Sequence, residues 1–312
     1  MANVYGAGDY RYEIDVNWAK LPEGWSLHEV ADVAVDAQDR VYVFNRGEHP
    51  MIVLDRDGEV LTSWGEGLFS RAHGLTIIEG VLYCADDGDH TVRVCTPDGQ
   101  VLMTLGAPNE PAPYQSGEPF NRPTKVAMGT DGALYVADGY GNARVHKYSA
   151  EGECLSSWGQ YGCQPGEFNL VHSICSDAQG RLYVADRENH RVQVFDAEGG
   201  YITQWNNLHR PCGLHINGDL VYIGQLPPSL AVNADYPNLG ARVSIHDLEG
   251  NLLSWVGAER PGDQEADQFY APHGLATDSH GDVYVGEVAH SFWGRYQEPP
   301  VAPRCLRKLV RV

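Results

Sequence analysis

A unit of about 45 to 50 residues recurs along this chain, and that periodicity constrains the fold more than any other feature. "GLTIIEGVLYCADDGDHTVRVCTPDGQVLMTLG" is followed by "KVAMGTDGALYVADGYGNARVHKYSAEGECLSSWG" and then by "SICSDAQGRLYVADRENHRVQVFDAEGGYITQW". Each unit holds an apolar strand, a turn of the D-x-x-G type, "LYVAD" or a close variant, a loop, a strand built on "RV", a second D-x-x-G turn and a last strand ending near Trp-Gly. Strict alternation between turn residues reads as four short antiparallel strands. Six units can be placed, from "EVADVAVDAQDRVYVF" to "APHGLATDSHGDVYVGEV", and the sixth lacks its last strand. The N-terminal "YRYEIDVNW" alternates well and could supply it, closing a ring and removing its exposed edges. Four-stranded units of this length stack radially as blades. A solenoid would want caps at both ends, whereas this chain offers a spare strand. The expected fold is therefore an all-β, six-bladed β-propeller forming one domain over residues 1–312, with no helical domain. Stretches 107–121, 225–240 and 289–303 are rich in Pro, Gly and polar residues and are expected to be long surface loops.

Composition narrows the partners. A net charge of -20 repels phosphate backbones and anionic bilayers, so neither nucleic acid nor a membrane is expected. The N-terminal "MANVYGAGDYRYEIDV" has neither a basic nor an apolar signal region. The seven cysteines include no CxxC and sit mostly in strand-like runs, which suits free thiols in a reducing compartment. The expectation is a cytoplasmic protein, or one whose signal was removed, acting on a small molecule.

Aligned on the innermost strands, the position before each apolar triplet reads Ala31, His73, Thr124, His172, Cys212 and His273. The histidines fall on alternate units of a sixfold ring, so the three would stand about 120° apart and point at one spot on its axis. Three neutral imidazoles with an open fourth position are the pattern of catalytic zinc, with Fe2+ as the other candidate. A single histidine at a strand start would be an ordinary hydrogen-bonded channel residue. Filling three alternate positions together from 13 histidines is a poor match to chance. His90 and His190 instead recur at one place before the third strand and read as structural.

The loop after "YVAD" returns to the face on which the innermost strands begin. There the repeat favours small or acidic residues, and Arg46, Tyr140 and Arg187 depart from it. Large functional side chains over a metal form a site constellation.

The units, "YVADRENHRVQVF" most clearly, resemble NHL repeats. "FNRGEHP", "HGLTI", "PTKVAMGTDGALYVADGYGNARV" and "VHSICSDAQGRLYVADRENHRVQVF" resemble peptidyl-α-hydroxyglycine α-amidating lyase over nearly all six units, most strongly from 71 to 205. The resemblance implies a six-bladed propeller with an axial zinc held by His73, His172 and His273, a catalytic Tyr140, and active-site arginines Arg46 and Arg187. It also implies cleavage of a carbinolamide into an amide and glyoxylate. The residue types suit that reaction: zinc supplies a Lewis acid, a tyrosine beside a dication and arginines serves as base, and arginine offers a bidentate fork for a substrate carboxylate. Two positions depart from the pattern. The lyase has an acid after its last zinc histidine that helps to hold calcium, and here Gly274 stands there. Asp32, on the neighbouring unit, could supply that acid to Ca2+ or pair with Lys125. The cysteine that follows the lyase's tyrosine is replaced by Gly141, which excludes a disulfide in that loop.

Three functional classes therefore compete: a zinc lyase or, in its place, a zinc hydrolase of a small amide, ester or lactone; a non-enzymatic NHL interaction module; and a calcium-dependent lactonase of related shape. Carboxylate and Asn oxygens would serve the last, whereas imidazoles suit zinc or iron.

Overall fold

The computed structural model describes residues 3–233, 236, 239–258, 262 and 265–312 and contains six antiparallel sheets, the arrangement of a six-bladed β-propeller. The innermost strands are Val30–Val35, Ala72–Ile78, Lys125–Met128, Val171–Ser176, Pro211–Asn217 and Pro272–Thr277. From each, three further strands follow outward in sheet order. The last sheet confirms closure by the N-terminus. Tyr10–Asp15 pairs with Leu306–Arg311, placing Ile14 opposite Leu309. The preceding segment Val4–Ala7 then folds back on Tyr10–Asp15 as a fifth strand. Glycine at 6 and 8 hides this extra strand from the alternation pattern.

The D-x-x-G turns explain the hairpins. Gly58 N donates to Asp55 O at φ +87°, and Asp55 Oδ1 accepts from the backbone of Asp57 and Glu59. Gly180 does the same with Asp177 at φ +83°. Left-handed backbone costs glycine least, and the aspartate supplies acceptors inside the turn. At Gly58 a side chain would in addition collide with Trp18 O.

Chain contacts divide the molecule into two compact units: Met1–Trp64 with Asp219–Val312, and Gly65–Gly218. In the Gly65–Gly218 unit, apolar faces of adjacent sheets bury each other. Tyr135, Val145, Ile174, Val184 and Phe195 form one such layer, and Val92, Leu134, Val136 and Phe120 another. In the other unit Val33, Val43, Ile52 and Tyr284 make one layer and Val243, Phe269, Val285 and Leu309 a second. Fully burying one such side chain contributes about 1.5–3 kcal/mol.

The loops only partly match expectation. Stretch 107–121 carries no strand or helix. Of stretch 225–240, positions 234, 235, 237 and 238 lie outside the described residues. Stretch 289–303 is not merely loop: Ala289–Phe292 forms one helical turn followed by the 3-10 turn Gly294–Tyr296. Trp293 N donates to Ala289 O and the buried Ala289 anchors the turn, a local order that the surrounding prolines and glycines conceal. Among the described residues no helix is long and apolar enough to cross a membrane.

Candidate functional site

Each candidate histidine occupies a break in its ladder. Ala72 pairs with Asp86 and Gly74 with Ala85, leaving His73 as the extra residue. His172 is skipped between Val171 and Ser173, and His273 between Pro272 and Gly274. Such a bulge inserts one extra residue into the strand and re-aims its side chain. Acids at the end of the second strand fix the chain just before the bulge. Asp86 accepts the backbone N–H groups of Ser70 and Arg71, Asp186 that of Asn169, and Glu287 those of Tyr270 and Ala271. The terminal Asp of "YVAD" is thus a clamp that sets where the histidine begins.

Within the Gly65–Gly218 unit, His73 and His172 are buried with ligand atoms within 4.8 Å of each other. His73 Nδ1 lies 2.9 Å from Thr124 O, and His172 Nδ1 lies 3.1 Å from Cys212 O. A carbonyl can only accept, so each Nδ1 carries the hydrogen and each Nε2 presents its lone pair. Thr124 and Cys212 are the next members of the innermost column, so every histidine is oriented by the column residue that follows it. Gly74 belongs to the same device. A Cβ there would collide with Thr124 O, which is why glycine follows the histidine.

Tyr140 bridges the two lone pairs. Its hydroxyl lies 3.2 Å from His73 Nε2 and 3.0 Å from His172 Nε2. Arg187 Nη1 donates to the same oxygen at 3.5 Å, and its guanidinium stands over the tyrosine ring. Burial works against the charge of Arg187, but Tyr140, Cys212 and Glu188 around it raise its pKa and keep it cationic. Four expected residues, His73, His172, Tyr140 and Arg187, are therefore brought together.

Several neighbours escaped the sequence reading. Arg122 Cζ also sits 4.4 Å from the Tyr140 ring centroid, and Arg122 Nη2 donates to Asp87 at 2.6 Å. Arg71 Nη1 donates to the same Asp87 oxygen. Glu188 Oε1 accepts from Arg187 Nε at 2.7 Å and Arg210 Nη2 at 2.9 Å. Arg122 and Arg210 occupy left-handed backbone at φ +66° and +46°, and their N–H groups donate to Nδ1 of His90 and His190. His90 and His190 are structural, as expected, and their task is to seat these arginines. The available sequence signal was the repeated "RP" two residues before the column, in "NRPT" and "HRPC". The Cys212 thiol lies 3.3 Å from His172 Nδ1, and burial pushes its pKa up to about 12, so it stands there as a neutral group.

In the other unit, His273 Nδ1 lies 2.6 Å from Ala31 O, the same arrangement as at His73 and His172. Asp32 is buried beside Gly274, where an added Cβ would collide with Asp32 Cα and Oδ1. Asp32 Oδ1 also accepts from Val33 N at 3.0 Å. Arg46 is partly buried, its side chain 8% exposed, and it donates through Nη1 to Glu29 Oε2 at 3.0 Å. Glu29 also accepts from Ser291 N, at the start of the short helix. Burial alone would raise the Glu29 pKa, but Arg46 and the Ser291 hydrogen bond bring it below the ordinary value.

Comparison with known proteins follows the same lines. The NHL repeat family matches residues 120–148 and 168–195. The human NHL repeat-containing protein 3 is 31% identical over 302 residues, covering 89% of this chain and 81% of that protein. The Drosophila melanogaster peptidyl-alpha-hydroxyglycine alpha-amidating lyase 1 is 30% identical over 274 residues, covering 78% of this chain and 48% of the lyase. The chain thus spans about half the length of that relative. Among solved structures, a Xanthomonas campestris gluconolactonase superimposes with TM-score 0.62 at 13% identity, covering 97% of this chain and 90% of that one, a likeness of fold alone.

Proposed function

We propose that this chain, which belongs to the family of NHL repeat-containing protein 3, is a metal-dependent lyase that breaks the C–N bond of a small carbinolamide. The observation that carries this reading is Tyr140, whose hydroxyl stands between two imidazole lone pairs with Arg187 donating to it. The named activity of the Drosophila relative supports it.

His73, His172 and His273 would hold the ion. The donor set fits: three buried histidines with Nδ1 tied to carbonyls, in the same bulge register, suit zinc or ferrous iron. When bound, the metal supplies a Lewis acid. Arg187 pairs with the carboxylate of an α-hydroxyglycine-like substrate and orients its hydroxyl toward Tyr140. The tyrosine oxygen takes the hydroxyl proton. The C–O bond becomes a carbonyl, the C–N bond breaks, and the proton passes from Tyr140 to the departing amide nitrogen. The guanidinia of Arg187 and Arg122 stabilise negative charge on the tyrosine oxygen while it lacks that proton. Arg46, held by Glu29, is proposed as the second active-site arginine.

Incubation with N-acyl-α-hydroxyglycine, followed by glyoxylate detection, tests the reaction. Stoichiometric amide and glyoxylate are expected. Hydrolysis to a carboxylic acid, or turnover of esters and lactones alone, would replace this reading with a hydrolase.

A further inference from the structure

The charges around Tyr140 form a continuous chain within one unit. Arg71 and Arg122 share Asp87, Arg122 and Arg187 face the Tyr140 ring, and Arg187 and Arg210 share Glu188. In each arm two guanidinia meet one carboxylate; beside the inner arm Arg191 balances Asp186, whereas beside the outer arm the buried Asp86 and Asp89 share the single cation Arg93, so what the outer arm offers a ligand is its pair of exposed guanidinia. The arms differ in access. The side chains of Arg187 and Arg210 are 12% and 8% exposed, whereas those of Arg71 and Arg122 are 38% and 41% exposed. The Asp87 carboxylate behind the exposed pair is fully buried, so a ligand reaching that arm meets guanidinium and not acid.

We infer that the site takes a substrate with two anionic groups, the second of them held by Arg71 and Arg122. The inference rests on the lyase reading for the first group, the carboxylate at Arg187. The structure favours a preorganised second point. Arg122 has its backbone in a left-handed conformation fixed by His90, its Nη2 fixed by Asp87 and its face fixed by the Tyr140 ring. An arginine held at its backbone, at Nη2 and at its guanidinium face loses little freedom on binding, and its other guanidinium N–H groups can make a charge-assisted pair. The substrate class is then a carbinolamide bearing a second carboxylate or phosphate near its scissile bond, and a long neutral acyl tail would leave the outer arm unused.

The test is calorimetric binding of malonate, succinate and glutarate, each against the monoacid of matching length, to the metal-loaded protein, Arg122→Gln and Arg71→Gln. Both arginines are partly exposed, so two independent variants guard against misfolding of one. At least one diacid is expected to bind about tenfold tighter than its monoacid. That preference should fall below about threefold in either variant, and Arg71→Gln, which does not touch Tyr140, should leave the monoacid's affinity unchanged. Equal binding of diacids and monoacids overturns the inference, as does a preference that survives either substitution or an equal loss for both ligand types in Arg71→Gln. Because anion binding needs no turnover, a diacid preference in a protein that releases no glyoxylate would sink the lyase and leave the two-anion site. Brisk turnover of a neutral-tailed substrate with no diacid preference would do the reverse.

Discussion

Replacing Glu188 with Gln tests how the site's charges are held. The Glu188 carboxylate accepts three hydrogen bonds from two arginines: Arg187 Nε, Arg210 Nη2 and Arg210 Nε at 3.1 Å. Burial alone would raise its pKa, but the hydrogen bonds and charges of Arg210 and Arg187 outweigh that and hold it down to about 2, against an ordinary 4.5. At 1.36 kcal/mol per pH unit, that difference makes ionised Glu188 worth roughly 3 kcal/mol to the folded state at neutral pH. A depressed acid stabilises fully only above its unfolded pKa and loses that contribution as pH falls toward its folded pKa. The contribution is therefore complete at pH 7, begins to fail as pH drops past about 4.5, and is down by more than half at about pH 3. Glu188→Gln should lower the melting temperature at pH 7 by about 4–5 °C. The gap between variant and wild type should narrow by more than half at pH 3. Paired thermal scans by circular dichroism at the two pH values measure it. An unchanged melting temperature at pH 7, or a gap that does not depend on pH, would refute the reasoning. The same variant should lose turnover, because Arg187 keeps its place beside Tyr140 through Glu188.

Two further outcomes follow from the geometry. Tyr140→Phe should retain its metal and lose about 10²–10⁴-fold in turnover, read as glyoxylate release; full activity would remove Tyr140 from proton transfer. Gly74→Ala should cost about 1–3 kcal/mol in denaturant unfolding and weaken metal retention together, because the new methyl pushes on the Thr124 carbonyl that orients His73; a stability loss with unchanged metal content would separate the two.

Much of this architecture was legible before the structure because a repeat reports its own register. Once six units were aligned, the alternate histidines and the outlying Tyr140 and Arg187 stood out against their own columns. The N-terminal strand was readable at "YRYEIDV" from alternation, whereas Val4–Ala7 was not, since two glycines break the pattern. The outer arginines were missed for a different reason. Arg122 and Arg210 look like loop residues unless their left-handed backbone is known, and only His90 and His190, one strand-pair earlier, hold them so. His146 showed no column, yet it is buried against Asp138 at 3.2 Å, because the clamp acids take different partners in different sheets: Arg93, His146, Arg191 and Arg307. Spacing finds residues that repeat. It does not find the ones that compensate each other across a turn.

The most direct test of the account is elemental analysis of the purified protein beside His172→Ala. About one zinc or iron per chain is expected in the wild type, and its loss is expected in the folded variant. A wild type without either metal after loading, or a variant that keeps it, would contradict the three-histidine centre.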